Sequence, residues 1–337
     1  MSVSFDVATI WAFIIAFAVF VYVVMDGFDL GLGILFPLFP EKSDRDVIMN
    51  SVAPVWDGNE TWLVLGGGGL MAAFPLAYAV LMPAIYTPVI AMLIGLVFRG
   101  VAFEFRWRTT QVERNRWDIA FAGGSSVAAL AQGIALGAIL QGVHVEGRHY
   151  AGGWWDWLTP FTVLTGISLV AGYALLGATW LVMKTEGGLR DKAYRLSWLL
   201  LFAMLGAIGA VSIATPFLHV QYAQRWFTWP NLILTAPVPI AVAAVTLMLL
   251  RSLAARQDYR PFFLSLALFA LSYAGLGISM YPYIVPQSIT IWQAASPERS
   301  QIFMLFGVAV LVPLILGYTA WAYWVFRGKV KPESGYH

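Results

Sequence analysis

The sequence predicts an all-α polytopic membrane protein folded as a single transmembrane domain over residues 1–337, and three observations carry that prediction. Of 337 residues, 60% are hydrophobic and only 11% charged, where an ordinary soluble domain has about 25% charged. Apolar runs near the roughly 20 residues that cross a bilayer recur from end to end. None alternates like a barrel strand, and backbone facing lipid must satisfy its own hydrogen bonds, so the runs are helices. A net charge of +2 gives no footprint for nucleic acid, and the absence of cysteine excludes disulfides, thiolate-held zinc and iron–sulfur clusters.

Nine spans are expected, over 7–39, 50–74, 78–104, 118–141, 158–183, 195–217, 231–250, 262–284 and 303–326. The first lacks a basic leader and runs too long for a signal core, so it reads as a span. It carries Asp26 and Asp29. The second opens on Trp56, Asp57 and Glu60 and is interrupted by Gly66 to Gly69, a run that allows close backbone approach. The third holds Arg99 and ends at Glu104. Gln132 and Gln141 in the fourth, Thr162 and Thr165 in the fifth, and Thr215-Pro216 in the sixth suit helix contacts or kinks. Trp226, Trp229 and Pro230 precede the seventh, and Tyr281 to Pro286 close the eighth, as interfacial residues do.

Basic residues orient the bundle. Sixteen of the twenty lie in alternate loops and the tail: Lys42, Arg45, Arg106, Arg108, Arg114, Arg116, Lys184, Arg190, Lys192, Arg195, Arg251, Arg256, Arg260, Arg327, Lys329 and Lys331. The opposite loops hold Arg148, Arg225 and Arg299, with Trp154, Trp155 and Trp157. By the positive-inside rule the amino terminus is outside and the carboxyl terminus cytoplasmic.

Charges inside the spans are the candidate site, because each costs about 2.5–3.5 kcal/mol at mid-membrane. Asp26 and Asp29 are three apart, as are Asp57 and Glu60, so each pair shares a helical face. At about 1.5 Å per residue, the two antiparallel helices bring all four to similar depth in the cytoplasmic half. Arg99 neutralises one or two of them. The remainder must be protonated or solvated, which suits groups that load and release protons. A charge network that merely pins three helices together is the other reading of the same residues. His144, His149, His219 and His337 all lie outside the spans, so the usual axial ligands for a haem at bilayer depth are missing and a partner is expected to carry any redox centre.

Four stretches then carry a resemblance: Asp26-Gly27-Phe28-Asp29-Leu30-Gly31, Ala53-Pro54-Val55-Trp56-Asp57-Gly58-Asn59-Glu60-Thr61-Trp62, Phe98-Arg99-Gly100-Val101-Ala102-Phe103-Glu104-Phe105-Arg106 and Val312-Pro313-Leu314-Ile315-Leu316-Gly317-Tyr318-Thr319-Ala320-Trp321. The chain resembles subunit II of cytochrome bd quinol oxidases, and its compact length is closer to the cyanide-insensitive branch. The resemblance implies two four-helix bundles plus a peripheral helix in a bacterial inner membrane. It implies a partner, subunit I, carrying two b haems, haem d and the quinol site. Oxygen is reduced to water there with protons drawn from the cytoplasm. It further implies haem-site support or proton delivery for Asp29, Asp57 and Arg99, a structural quinone within this subunit in some members, and room for a small single-helix subunit. Glu60 stands where enterobacterial members carry an amide, so no role carries over to it. Two alternatives remain open at this point: a proton-coupled secondary transporter, and a purely structural assembly subunit.

Overall fold

The computed structural model describes residues 6–330, without the side chains of 111 and 112; Lys331 and His337 lie outside the described residues. Helix α1 (Val7–Leu35) starts where the Asp6 carboxylate accepts a hydrogen bond from the Thr9 amide at 2.7 Å. It ends in a short 3₁₀ turn over Phe36–Leu38, since Pro37 cannot continue the ladder. The surface helix α2 (Lys42–Asn50) buries Val47, Ile48 and Met49 and leads to α3 (Trp56–Ala73), α4 (Pro75–Ala84) and α5 (Tyr86–Arg106). Helix α6 (Gln111–Gln141) opens with a Thr110–Glu113 capping box. A hairpin of β1 (Val145–Glu146) and β2 (His149–Tyr150) then precedes α7 (Pro160–Lys184). The remainder is α8 (Gly187–Leu218), α9 (Val220–Phe227), α10 (Asn231–Thr235), α11 (Pro237–Ala254), α12 (Arg260–Met280), hairpin β3 (Tyr283–Val285) and β4 (Ile289–Thr290), α13 (Ile291–Ala294) and α14 (Glu298–Val325).

Eight helical stretches among the described residues are long and apolar enough to cross a membrane. Two of the expected spans take a different form. The uninterrupted helix over 78–104 breaks at Ile85 into α4 and α5. Pro83 strains the end of α4, and Pro88 has no N–H to offer the Ala84 carbonyl, so the ladder cannot run through. The span over 50–74 shortens to α3, because Ser51 to Val55 form turns ahead of Trp56 and Phe74 precedes Pro75. At 18 residues α3 is long enough in principle, yet its first turns are polar and it is not among the eight. The expected start at 195 moves to Gly187, while the span expected from 231 does begin there, as a short α10 ahead of α11.

The core gathers around α1, α6 and α7, with α12 closing over them. Small residues set its closeness: a Cβ at Gly31 would stand 1.9 Å from the Tyr173 carbonyl oxygen, and one at Gly177 2.5 Å from the Gly31 carbonyl carbon. No larger residue fits where α1 meets α7. Of the four glycines in α3, Gly66 and Gly69 face Val19 and Ile15 of α1, while Gly67 and Gly68 face open space. Helix α14 packs chiefly along α1 and α3. Its ends are tied instead: Ser296 N–H and Gln301 Nε2 both donate to the Ala73 carbonyl, and Lys184 Nζ donates to the carbonyls of Phe326 and Gly328.

Candidate functional site

Arg99 is the centre of the site. It sits on α5 with no exposed surface, and its guanidinium faces three carboxylates. Asp26 of α1 forms the direct ion pair with Nη2; Glu60 Oε2 of α3 lies 3.2 Å from Nη1, and Asp29 Oδ2 lies 4.0 Å from Nη2. The planar fork suits such multiple recognition, and its aromatic flanks suit it as well. Trp56 and Phe103 stack on one another at 4.9 Å and 7°, with the guanidinium carbon 5.4 Å from the Trp56 ring centroid and 5.9 Å from that of Phe103.

Asp29 is held chiefly by an amide. Asn59 Nδ2 donates to Asp29 Oδ2 at 2.8 Å, and Asn59 Oδ1 accepts from the Tyr323 hydroxyl of α14 at 2.8 Å. Asn59 thereby links α1, α3 and α14. Asn59 and Tyr323 carry no charge to mark them in the sequence; the signal for Asn59 is its place between two acids, Asp57 and Glu60, at the head of an apolar run. Asp26 Oδ2, Asp29 Oδ1, Arg99 Nε and the nearby Trp62 Nε1 are buried without a hydrogen-bond partner. Orphaned polar atoms of this kind are costly in a dry interior and ask for water or a proton.

Of the seven predicted residues, Asp26, Asp29, Trp56, Glu60 and Arg99 come together. Asp57 and Glu104 do not. Asp57 is exposed on α3, because three residues turn a helix about 300° and Asn59 takes the inward position instead. Glu104 is exposed on α5, with Arg108 at 3.7 Å as its neighbour. Glu60 is the cluster's contact with its surroundings, its side chain 32% exposed while those of Arg99, Asp26 and Asp29 are closed off. Four acids on adjacent helices thus do not make four partners: three surround the guanidinium, and Asp57, rotated outward on α3, stands at the rim.

A second charged network lies two turns further along α5. Arg106 Nε and Nη1 meet Asp118 Oδ1 and Asp46 Oδ1, both at 2.6 Å, and Arg45 Nη1 meets Asp118 Oδ2 at 2.9 Å. It joins α2, α5 and α6 at the end of the bundle where the basic loops gather.

The described histidines do not fit a haem inside the bundle. His144 is exposed beside Glu146 at 3.3 Å, His149 lies in the same hairpin, and the His219 ring nitrogen is bonded to the Gln141 carbonyl at 2.7 Å. Among the described residues no three of His, Cys, Asp and Glu are grouped as a metal site. One apolar groove, of about 380 Å³, runs between α1 and α14, lined by Ile10, Phe13, Ile14, Phe17, Val308 and Val312. Its lining is apolar throughout.

Comparison with known proteins agrees with this architecture. The family described as cytochrome bd terminal oxidase subunit II matches residues 7–326. The chain is similar to cytochrome bd-I ubiquinol oxidase subunit 2 of Escherichia coli K12, 33% identical with 96% of this chain and 95% of that one covered. It is similar also to cytochrome bd ubiquinol oxidase subunit 2 of Bacillus subtilis, at 25% with 96% and 97% covered. In fold it is similar to a chain in the structure of bd oxidase from Geobacillus thermodenitrificans, with a TM-score of 0.72 at 18% identity over 95% of this chain and 98% of that one. With the family's pattern covering nearly every described residue, the chain belongs to the cytochrome bd terminal oxidase subunit II family.

Proposed function

We propose that this subunit loads cytoplasmic protons at the Arg99 cluster and supports a haem-bearing subunit I, which carries the two b haems, haem d and the quinol site of a bacterial inner-membrane oxidase. The observation that carries the reading is three carboxylates sharing one buried guanidinium, one of them, Glu60, reaching the protein's lateral surface. One positive charge cannot balance three negative ones in a low-dielectric site, so at least one acid holds a proton or exchanges it. Glu60 is the entry, with Asp57 at its mouth, and Asp26 and Asp29 are the inner stations. The apolar face of α3, with Val64 and Met71 exposed on it, is the side that subunit I covers, and Asp57 at its cytoplasmic end stays open to water.

In the same reading α3 is a ninth crossing of about 27 Å at 1.5 Å per residue. The helices then divide into α1, α3, α5 and α6 in one bundle and α7, α8, α11 and α12 in the other, with α14 peripheral. The amino terminus lies outside and the basic end faces the cytoplasm. A structural quinone would lay its tail in the groove between α1 and α14.

Quinol-driven oxygen consumption of the purified complex tests the reading. Glu60→Gln and Asp26→Asn at normal haem content are expected to slow turnover at least about a hundredfold, at the low end of what a positioned proton-transfer group contributes. Unchanged turnover in both overturns it. The purely structural reading has one observation in its favour, the Asn59 bridge from Asp29 to Tyr323, and predicts loss of haem-bearing complex in place of slowed turnover. No observation favours the transporter.

A further inference from the structure

The buried polar network continues past Arg99. Tyr22 stands one helical turn before Asp26 on the same face of α1, and both are buried. Its hydroxyl accepts a hydrogen bond from Gln132 Nε2 of α6 at 2.6 Å, and Gln132 Oε1 accepts one from the Tyr173 hydroxyl of α7 at 2.8 Å. Tyr22 and Tyr173 are 3% and 0% exposed. The far end is sealed by apolar groups, since the Tyr173 ring lies against Gly27 and stacks on Phe269 at 5.8 Å.

A tyrosine–amide–tyrosine chain has one hydroxyl proton more than it can use internally. With Tyr173 donating to Oε1 and Nε2 donating to Tyr22, the Tyr22 proton is left over, at the end of the chain nearer the charged cluster. A half-turn of the amide reverses both bonds, so that Tyr22 donates to Oε1 and Nε2 donates to Tyr173. The end of the chain nearer the cluster then carries a hydroxyl lone pair in place of a proton. An ionised carboxylate, which only accepts, favours the first arrangement; a protonated carboxyl, which can donate, favours the second.

We propose that Tyr22 and Gln132 are positioning residues for the cluster's protons, the bond direction in the Tyr173–Gln132–Tyr22 chain reversing with the protonation state of the carboxylates around Arg99 and setting their proton affinity. No proton crosses the amide and no charge moves along the chain; only the bond direction changes. The charged and titratable groups facing this region are Asp26 and Asp29 of α1, Glu60 of α3, Arg99 of α5, Tyr173 of α7 and Tyr323 of α14, with Asp57 of α3 turned out beside Glu60. Helix α6 contributes Gln132, and Tyr273 of α12 donates away from the cluster to the Ala16 carbonyl.

The inference rests on the proton-loading reading, and infrared spectra of the purified complex across pH separate the two. In Tyr22→Phe the titration of the buried carboxyl carbonyl band is expected to move by about half a pH unit, about threefold in proton affinity, the scale of one weak buried hydrogen bond. Gln132→Met, which keeps the side-chain volume, should move it equally, and the double variant should add nothing further, as members of one chain do. Tyr173→Phe should move it less. A carboxyl titration unmoved in both Tyr22→Phe and Gln132→Met overturns the inference. If the titration moves while Glu60→Gln and Asp26→Asn leave turnover unchanged, the switch stands and proton delivery through the cluster fails. Should Gln132→Met not assemble, Tyr22→Phe decides alone.

Discussion

Two buried arginines lie seven residues apart on one face of α5, and they are built for opposite ends. Arg106 is saturated: its Nε and Nη1 each meet a carboxylate at 2.6 Å, and both oxygens of Asp118 are taken, by Arg106 and Arg45. Arg114, at 3.9 Å from Asp46, adds a further cation, and the network's orphaned atom is that arginine's Nε, a donor, with no carboxylate oxygen left over. Around Arg106, cations outnumber acids. Arg99 is the reverse, with three carboxylates to one guanidinium and with Asp26 Oδ2, Asp29 Oδ1 and Arg99 Nε unpartnered. A saturated network has one arrangement and no reason to exchange protons. An under-compensated one has several protonation states of similar energy, which is what a proton-handling site requires.

The largest expected effect tests that contrast directly. Arg99→Leu leaves three acids without a counter-charge in the membrane, a loss of about 3–5 kcal/mol by analogy with broken buried pairs. The yield of haem-bearing complex should collapse; an assembled complex with normal oxygen consumption would break the comparison. Arg106→Leu should be milder, about 1–3 kcal/mol, because Asp46 is 33% exposed and Arg114 and Arg45 remain for its acids. It should lower the melting temperature of the complex and leave turnover per complex intact, and slowed turnover would show that the two networks are one. Asp57→Asn should slow oxygen consumption by no more than about twofold, since an exposed charge acts on Glu60 through screening solvent. A loss matching that of Glu60→Gln would move Asp57 into the site.

The smallest effect comes from a third group, Asp258, in the loop between α11 and α12. Burial pushes its carboxyl up, but the Lys329 ammonium at 2.6 Å, with Arg190 and Tyr194, holds it on balance below the usual carboxylate value of 3.8. A depressed folded value means the stabilisation is fully present above about pH 4 and fades as pH falls through the folded value. At neutral pH, Asp258→Asn should lower stability by about 0.5–1 kcal/mol, as partly exposed pairs do. Variant and parent should converge in acid. A difference that persists at low pH would assign the loss to packing of the tail segment and not to charge.

Much of the fold was legible because membrane helices declare themselves by hydropathy, one segment at a time. The same averaging hid the break at Ile85, where Pro83 and Pro88 interrupt a run that stays apolar throughout. Charges were legible for the converse reason, each standing out against apolar neighbours. Their pairing was not. Asp26 and not Asp29 is the direct partner of Arg99, and Asn59, not Asp57, turns inward. These depend on helix rotation, which a spacing of three leaves open by about 60°. Gln132 stood out as an amide in the fourth span suited to helix contacts, but its partners Tyr22 and Tyr173 were the least visible, since a tyrosine in an apolar span reads like a phenylalanine until its hydroxyl finds a partner.

The sequence by itself determined that this chain lives in a membrane, which end is basic, that its internal charges sit on the first three spans, and that its motifs belong to one oxidase subunit family. Those are properties of single segments, set by transfer energies that each residue contributes alone. Only the tertiary structure decided that three acids and not four surround Arg99, that Arg106 is saturated while Arg99 is not, and that an amide on α6 joins tyrosines of α1 and α7. Those are properties of contacts between segments, set by helix azimuth and by how closely glycines such as Gly31 and Gly177 let the backbones approach.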